Sequence, residues 1–235
     1  YSTEKKKIKQ HKEKKQTFLG ATATLGLAVI VLKLIGALYK IPLNNILGDE
    51  GVTYFNASYK IYSFLLSLST AGLPVALSKL VAESRALGKY NQSHKLLRLA
   101  LILFTAIGAV GTAVMFFFTG ELAAMMNNSL AYAPIKALSF SVVCVCMMSA
   151  FRGYTQGSEN MVPSAISQVI EAVFKLVVGL ALAWYLVDAG FGLSVGAAGA
   201  IMGVTISTVL ALGYMIVSHL RHRNDIPIST DTPAP

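Results

Sequence analysis

The sequence predicts an all-α fold, a bundle of membrane-spanning helices. Hydrophobic residues make up 54% of the 235 positions and charged residues only 13%, whereas a soluble domain carries about 25% charged residues. The mean hydropathy is +0.60. Apolar runs recur along the chain, each long enough for the roughly 20 residues that a helix needs to cross a bilayer. We therefore expect a polytopic integral membrane protein with six transmembrane helices.

The runs divide the chain into three regions. Residues 1–17 form a basic tail, residues 18–220 the transmembrane bundle, and residues 221–235 a polar tail. Three prolines in the second tail favour disorder there. The six spans are predicted at 18–43, 55–80, 96–119, 131–153, 164–187 and 195–219.

The charges of the connecting segments predict the orientation in the membrane. Seven lysines lie within residues 5–15, and further bases follow the second, fourth and sixth spans. The other connections, 44–54, 120–130 and 188–194, contain no Lys or Arg. Because cytoplasmic loops carry the excess of Lys and Arg, we expect both termini in the cytoplasm and the bundle in the cytoplasmic membrane. This distribution explains the net charge of +9 without a nucleic acid partner.

Two features suggest how the helices are shaped and packed. Pro74 falls inside the second span and should kink it, either as a tolerated bend or as a hinge for a moving helix. The glycine pairs 192/196 and 199/203 have the spacing that lets helix backbones approach closely. We expect that packing within the bundle, with dimerisation as the alternative.

Charged residues inside the spans are the candidate site residues. Each costs about 2.5–3.5 kcal/mol to insert, so each needs a partner, a wet cavity or a function. Lys33 lies near the middle of the first span with no acid within one turn, and we expect it to face a water-filled cavity. Lys60 and Arg152 are further candidates for that cavity, although Arg152 also suits a cytoplasmic-side anchor. Since bases exceed acids, the cavity should attract an anion such as phosphate or pyrophosphate.

A polar stripe is predicted on the fifth span. Gln168, Glu171 and Lys175 follow i, i+3, i+7 spacing and so share one helix face. Glu171 and Lys175 have the order and spacing of an intrahelical ion pair. The alternative is that Glu171, the one deep carboxylate, serves ion coupling.

No pattern in the sequence indicates an enzyme. There is no Ser/His/Asp set, phosphate-binding glycine loop or His-Glu-x-x-His motif. We therefore predict no catalytic residues, no metal site and no cofactor. Membrane lipids are expected as partners because the chain is predicted to span the bilayer.

Three blocks of residues resemble a known family. They are GALYKIPLNNILGDEG at 36–51, LSTAGLPVALSKLVAE at 68–83, and FRGYTQG at 151–157 followed by PSAISQVIE at 163–171. Together they resemble the polysaccharide-exporter and lipid-flippase branch of the multidrug/oligosaccharidyl-lipid/polysaccharide (MOP) exporter superfamily, in particular its sporulation and lipid II flippase members.

The resemblance implies a fold and a cargo. The chain would be the N-terminal lobe of a two-lobe transporter of the multidrug-extrusion (MATE) type, and its missing partner would be a C-terminal lobe. The implied function is flipping, by alternating access, of an undecaprenyl-pyrophosphate-linked glycan such as lipid II or a polysaccharide repeat unit. For the binding residues it implies only a basic cavity, which Lys33, Lys60 and Arg152 could form.

Two other functions compete with this one. A cation-coupled multidrug exporter of the same superfamily needs a deep acid in the first span, where this sequence has Lys33. A non-transporting membrane scaffold subunit needs packing faces but no charged cavity.

Overall fold

The computed structural model describes residues 2–70 and 72–222, with side chains between 30 and 221 except at 68–71 and 129. Its described residues form α-helices and no strand, which confirms the all-α prediction. The helices are α1 (Ser2–Thr70), α2 (Leu73–Ala86), α3 (Tyr90–Phe117), α4 (Thr119–Met125), α5 (Tyr132–Gly157), α6 (Val162–Asp188) and α7 (Leu193–His222). The predicted tail 221–235 lies outside this description from residue 223 onward.

Helix α1 is bent sharply at Gly48. The φ of 63° and ψ of −178° at this residue fall in a region open to glycine alone. The ring centres of Tyr39 and Phe55 lie 6.1 Å apart across the bend, whereas a straight helix would separate the two residues by about 24 Å. The helix therefore doubles back, with a first arm up to Leu47 and a second arm from Asp49 to Thr70.

A second break follows the second arm of α1. Helix α1 ends at Thr70 and α2 begins at Leu73, with Gly72 left-handed at φ 74° between them. Pro74 lies in the first turn of α2, where its missing N–H costs little. The chain is thus interrupted at the predicted kink, and the role of Pro74 as a moving hinge stays a prediction.

Five helices in the described part of the chain are long and apolar enough to cross a membrane, against six predicted. They are Ile30–Ser67, Tyr90–Phe117, Tyr132–Gly157, Val162–Asp188 and Leu193–Arg221. The difference lies in α1, where Ile30–Ser67 contains two helices on either side of the kink at Gly48. These two arms correspond to the predicted spans 18–43 and 55–80, and the second predicted span continues past Thr70 into α2. The predicted count of six therefore agrees approximately with the described helices.

Helix α5 lies at the centre of the bundle. It packs against α2, α3, α7 and α1 and supplies many of the fully buried side chains, among them Ile135, Leu138 and Met148. Its glycines allow close contact with α2: a Cβ at Gly153 would lie 2.7 Å from the carbonyl oxygen of Pro74. Large apolar side chains such as Ile102 on α3 and Val177 on α6 are exposed instead, as expected of surfaces that face lipid.

The small residues of α7 pack inside the bundle, as predicted. A Cβ at Gly199 would lie 2.6 Å from Leu186 Cδ1, and one at Gly203 would meet the backbone of Gly179, both on α6. Gly192 differs, because it precedes α7 with φ +87° and open space around it. It serves a turn rather than helix packing.

Candidate functional site

A cavity of about 350 Å³ lies where the first arm of α1 meets α5 and α6. Small residues on its walls, Gly36 and Ala172, leave room beside longer polar side chains. The lining consists of Leu32, Ile35, Gly36, Tyr39, Arg152, Gln168, Glu171, Ala172 and Lys175. The structure therefore brings together Arg152 and the whole predicted stripe of Gln168, Glu171 and Lys175.

Arg152 joins α5 to α6 through two polar contacts. Its Nη2 donates to Glu171 Oε2 at 3.0 Å, and its Nε donates to Ser167 Oγ at 3.2 Å. Arg152 and Glu171 keep 20% and 25% of their side-chain exposure, because both face the cavity. The ion pair of Glu171 is thus interhelical, and the expected intrahelical pair with Lys175 is replaced by it.

Lys175 is held by aromatic rings instead of a carboxylate. Its Nζ lies 4.7 Å from the ring centre of Tyr59 and 5.3 Å from that of Tyr39, within cation–π range. Among the residues that the structure describes, the Arg152–Glu171 pair is the one ion pair within 4.0 Å. The ammonium of Lys175 is therefore positioned but not neutralised.

Tyr39 adds a polar atom without a partner. The residue is 6% exposed, and its hydroxyl is buried with no hydrogen bond. An unpaired buried hydroxyl costs free energy, and this oxygen lies 3.2 Å from where a Cβ at Gly179 of α6 would be, so Tyr39 contributes to the cavity as a lining residue without a hydroxyl shown to be open to it. The sequence pattern predicts neither Tyr39 nor Tyr59 as a site residue, because the bend at Gly48 is what brings the two rings together.

The cavity carries an excess positive charge. Arg152 and Lys175 contribute two bases against the single acid Glu171, so the net formal charge is +1. In a space walled partly by apolar side chains this charge is weakly screened. Chemically the site suits a single anionic group. Alternatively, a proton or cation could compete with Arg152 for the carboxylate of Glu171.

Lys33 and Lys60 do not line this cavity. Both side chains are exposed on α1. Lys33 directly follows Leu32, a lining residue, and adjacent residues of a helix point about 100° apart. The predicted trio of Lys33, Lys60 and Arg152 therefore does not converge in this part of the protein, and a role for the two lysines in cargo binding stays a prediction.

The chain matches a known protein family over most of its length. Residues 19–232 match the family described as "Polysaccharide biosynthesis protein". Stage V sporulation protein B of Bacillus subtilis (strain 168) is 30% identical over 204 residues, which cover 86% of this chain and 39% of that protein. Lipid II flippase MurJ of the same organism is 29% identical over 168 residues, covering 68% of this chain and 31% of that protein.

A solved structure shares the fold. The crystal structure of MATE in complex with MaD3S matches with a TM-score of 0.71 at 19% identity, covering 92% of this chain and 49% of that one. The chain thus spans about half of that structure and less than two-fifths of the two curated relatives.

Proposed function

Since the chain belongs to the polysaccharide biosynthesis protein family, in the flippase branch of the MOP exporter superfamily, we propose that it forms one lobe of a membrane flippase for lipid-linked glycans. The cargo would be an undecaprenyl-pyrophosphate-linked glycan, such as lipid II or a polysaccharide repeat unit. A second lobe would supply the facing wall of the pathway. Both termini of this chain would lie in the cytoplasm.

The charge of the cavity is the observation that carries this proposal. Lys175 is unneutralised beside Tyr59, and Arg152 uses two of its three guanidinium nitrogens for Glu171 and Ser167. A phosphate of the cargo would find one ammonium without a carboxylate partner and one partly free guanidinium. These are the groups that bind phosphate oxygens.

Movement of the cargo would follow the polar wall. The glycan would cross through water in the cavity while the lipid tail stays in the bilayer, because only the head group is too polar for hydrocarbon. Lys33 and Lys60, both exposed on α1, would extend the positive wall toward the second lobe. Alternating access would result from rocking of the two lobes.

Replacement of Lys175 tests the proposal in the complete gene product. Lys175→Gln removes the free positive charge, and we expect translocation of an undecaprenyl-pyrophosphate-linked glycan in vesicles to fall about tenfold, as for one charge-assisted hydrogen bond. Lys136→Gln is the matched control, because Lys136 also lies over aromatic rings, 5.0 Å from Phe116 and 5.6 Å from Tyr132, but outside the cavity. Equal rates for wild type and Lys175→Gln, at equal amounts of protein in the membrane, would contradict the proposal.

Cation-coupled multidrug export is the second candidate, and Glu171 is the observation that favours it. This carboxylate lines the cavity, where it could bind a proton or cation. Its ion pair with Arg152 opposes that role, and the described side chains of the first arm, residues 30–47, include Lys33 and Lys40 but no acid. A multidrug exporter would lower drug accumulation in cells without translocating the lipid-linked glycan. A scaffold subunit would transport neither the drug nor the lipid-linked glycan.

A further inference from the structure

A second cationic group lies away from the cavity, where the end of α2 meets α3 and α5. The Arg85 guanidinium carbon is 5.9 Å from the ring centre of Tyr90 and 5.6 Å from that of Tyr154. Nη1 donates to the carbonyl oxygen of Ser158 and Nη2 to the hydroxyl of Tyr154, both at 3.4 Å. The Nε atom is buried and has no hydrogen-bond partner.

These contacts leave the guanidinium poorly satisfied. It has five N–H donors, and its two hydrogen bonds exceed the usual 2.7–3.2 Å for N–H···O. No carboxylate in residues 30–67, 72–128 or 130–221 lies within 4.0 Å of it. A half-buried arginine without an anion is costly, and its planar fork matches a carboxylate or phosphate. The guanidinium of Arg85 is therefore positioned to bind an anion that the described residues do not supply.

The neighbouring side chains do not supply the missing negative charge. The hydroxyl of Tyr154 contacts His94 Nδ1 at 3.3 Å, and the ring of His219 lies 5.4 Å from that of Tyr154. Residues 79–98 contain five Lys or Arg residues and one acid, Glu83; Glu83 and Glu159, the acid next to Ser158, are both exposed and neither forms an ion pair with Arg85 within 4.0 Å. Among the described residues around Arg85, bases outnumber acids, and no carboxylate pairs with the guanidinium, which favours an anionic ligand from outside the protein.

The position of Arg85 at the ends of membrane-spanning helices identifies that ligand. Helix α3 begins at Tyr90 and α5 ends at Gly157, so Arg85 lies near the depth of the lipid head groups. Tyrosine rings are typical of that depth, and basic pockets between transmembrane helices bind anionic head groups. Leu80 on α2 and Leu87, the residue directly after α2, are 48% and 63% exposed, as expected beside acyl chains.

We propose that Arg85, with the rings of Tyr90 and Tyr154, binds the phosphate of an anionic membrane phospholipid. The lipid would complete the ion pair of Arg85 and fix α2 against α3 and α5 at the membrane surface. The site is separate from the α5–α6 cavity, and it does not depend on what the cavity transports.

Retention of phosphatidylglycerol tests the site. The complete gene product is placed in phosphatidylcholine nanodiscs with increasing phosphatidylglycerol, and bound phosphatidylglycerol is counted by native mass spectrometry. We expect Arg85→Gln to weaken its binding about tenfold, as for loss of a charge-assisted hydrogen bond. Arg98→Gln is the matched control, because Arg98 is exposed within the same basic segment, residues 79–98, and does not take part in the contacts of Arg85 with Tyr90 and Tyr154. Binding of phosphatidylglycerol to this variant should stay at the wild-type value.

Four results would overturn the proposal. Wild-type retention by Arg85→Gln would remove Arg85 from the site, and an equal loss in Arg98→Gln would reduce the effect to diffuse surface charge. Displacement of phosphatidylglycerol by millimolar inorganic phosphate would show a site for free phosphate rather than lipid. If Arg85→Gln fails to fold by circular dichroism, Arg85→Lys decides instead: it keeps the charge but loses the planar fork, so full retention by this variant would also refute the assignment.

Discussion

Arg152 and Glu171 form a partly buried ion pair that connects α5 to α6. Helix α6 otherwise packs mainly against α7 and α1. The α5–α6 contact therefore depends on this pair, on the hydrogen bond from Arg152 to Ser167, and on the hydrogen bond between Thr155 and Ser164, 2.8 Å long. Loss of one partner would leave a charge in a weakly solvated space. The pair should therefore contribute measurably to stability.

A double-mutant cycle measures that contribution. Arg152→Gln and Glu171→Gln should show a coupling of about 1–2 kcal/mol in the free energy of unfolding, an estimate reduced from buried pairs because both side chains retain some exposure. The measurement is unfolding of the protein in mixed micelles with increasing SDS. The cycle of Lys175→Gln with Glu171→Gln is the control and should show coupling near zero. The reverse ranking would mean that the intrahelical pair forms in the membrane.

The polar stripe of the site could be predicted from sequence, but its partners could not. Helical periodicity alone places Gln168, Glu171 and Lys175 on one face. The choice between Lys175 and Arg152 as the partner of Glu171 depends on how α5 lies against α6, and residue spacing does not contain that information. The aromatic contacts of Lys175 likewise depend on the bend in α1.

At the scale of the helices, the bend at Gly48 builds one wall of the cavity. It brings Tyr39 on the first arm of α1 and Tyr59 on the second to the same ammonium. A Cβ at Gly48 would meet nothing within 4 Å, so the need for glycine comes from the backbone dihedral angles and not from space.

Alanine substitutions separate those two causes. Gly48→Ala should cost about 1–3 kcal/mol of unfolding free energy, the price of a strained backbone conformation. Gly36→Ala is the control, since Gly36 also has open space around it but no positive φ, and alanine favours a helix. SDS unfolding compares the two variants. Equal stability of both would show that α1 does not require the observed bend.

Four helices agree closely with their predicted spans, whereas the first two spans correspond to the two arms of α1, which follow each other without a loop. Apolar runs bounded by polar loops locate α3, α5, α6 and α7 to within a few residues, apart from the earlier start of α3 at Tyr90. In the N-terminal part, a single glycine makes the turn while helical geometry continues on both sides. The predicted loop 44–54 is therefore almost entirely helical, a result that hydropathy and charge do not reveal.

At the scale of the whole molecule, the chain has the fold of one lobe. It covers 49% of the matching MATE structure and 39% of stage V sporulation protein B. The cavity in this lobe is bounded by α1, α5 and α6, and the exposed lysines of α1 lie outside it. Under the proposed function, a complete pathway for the cargo would need a second lobe.

The central claim is that an anionic lipid-linked glycan crosses along a positive cavity. The most direct test is translocation by the complete gene product in vesicles, with two cargoes that carry the same glycan, one on undecaprenyl pyrophosphate and one on uncharged undecaprenol. We predict that the protein accelerates transfer of the pyrophosphate-linked glycan alone, because only that cargo supplies an anion for Lys175 and Arg152. Equal acceleration of both cargoes, or of neither, would contradict the claim.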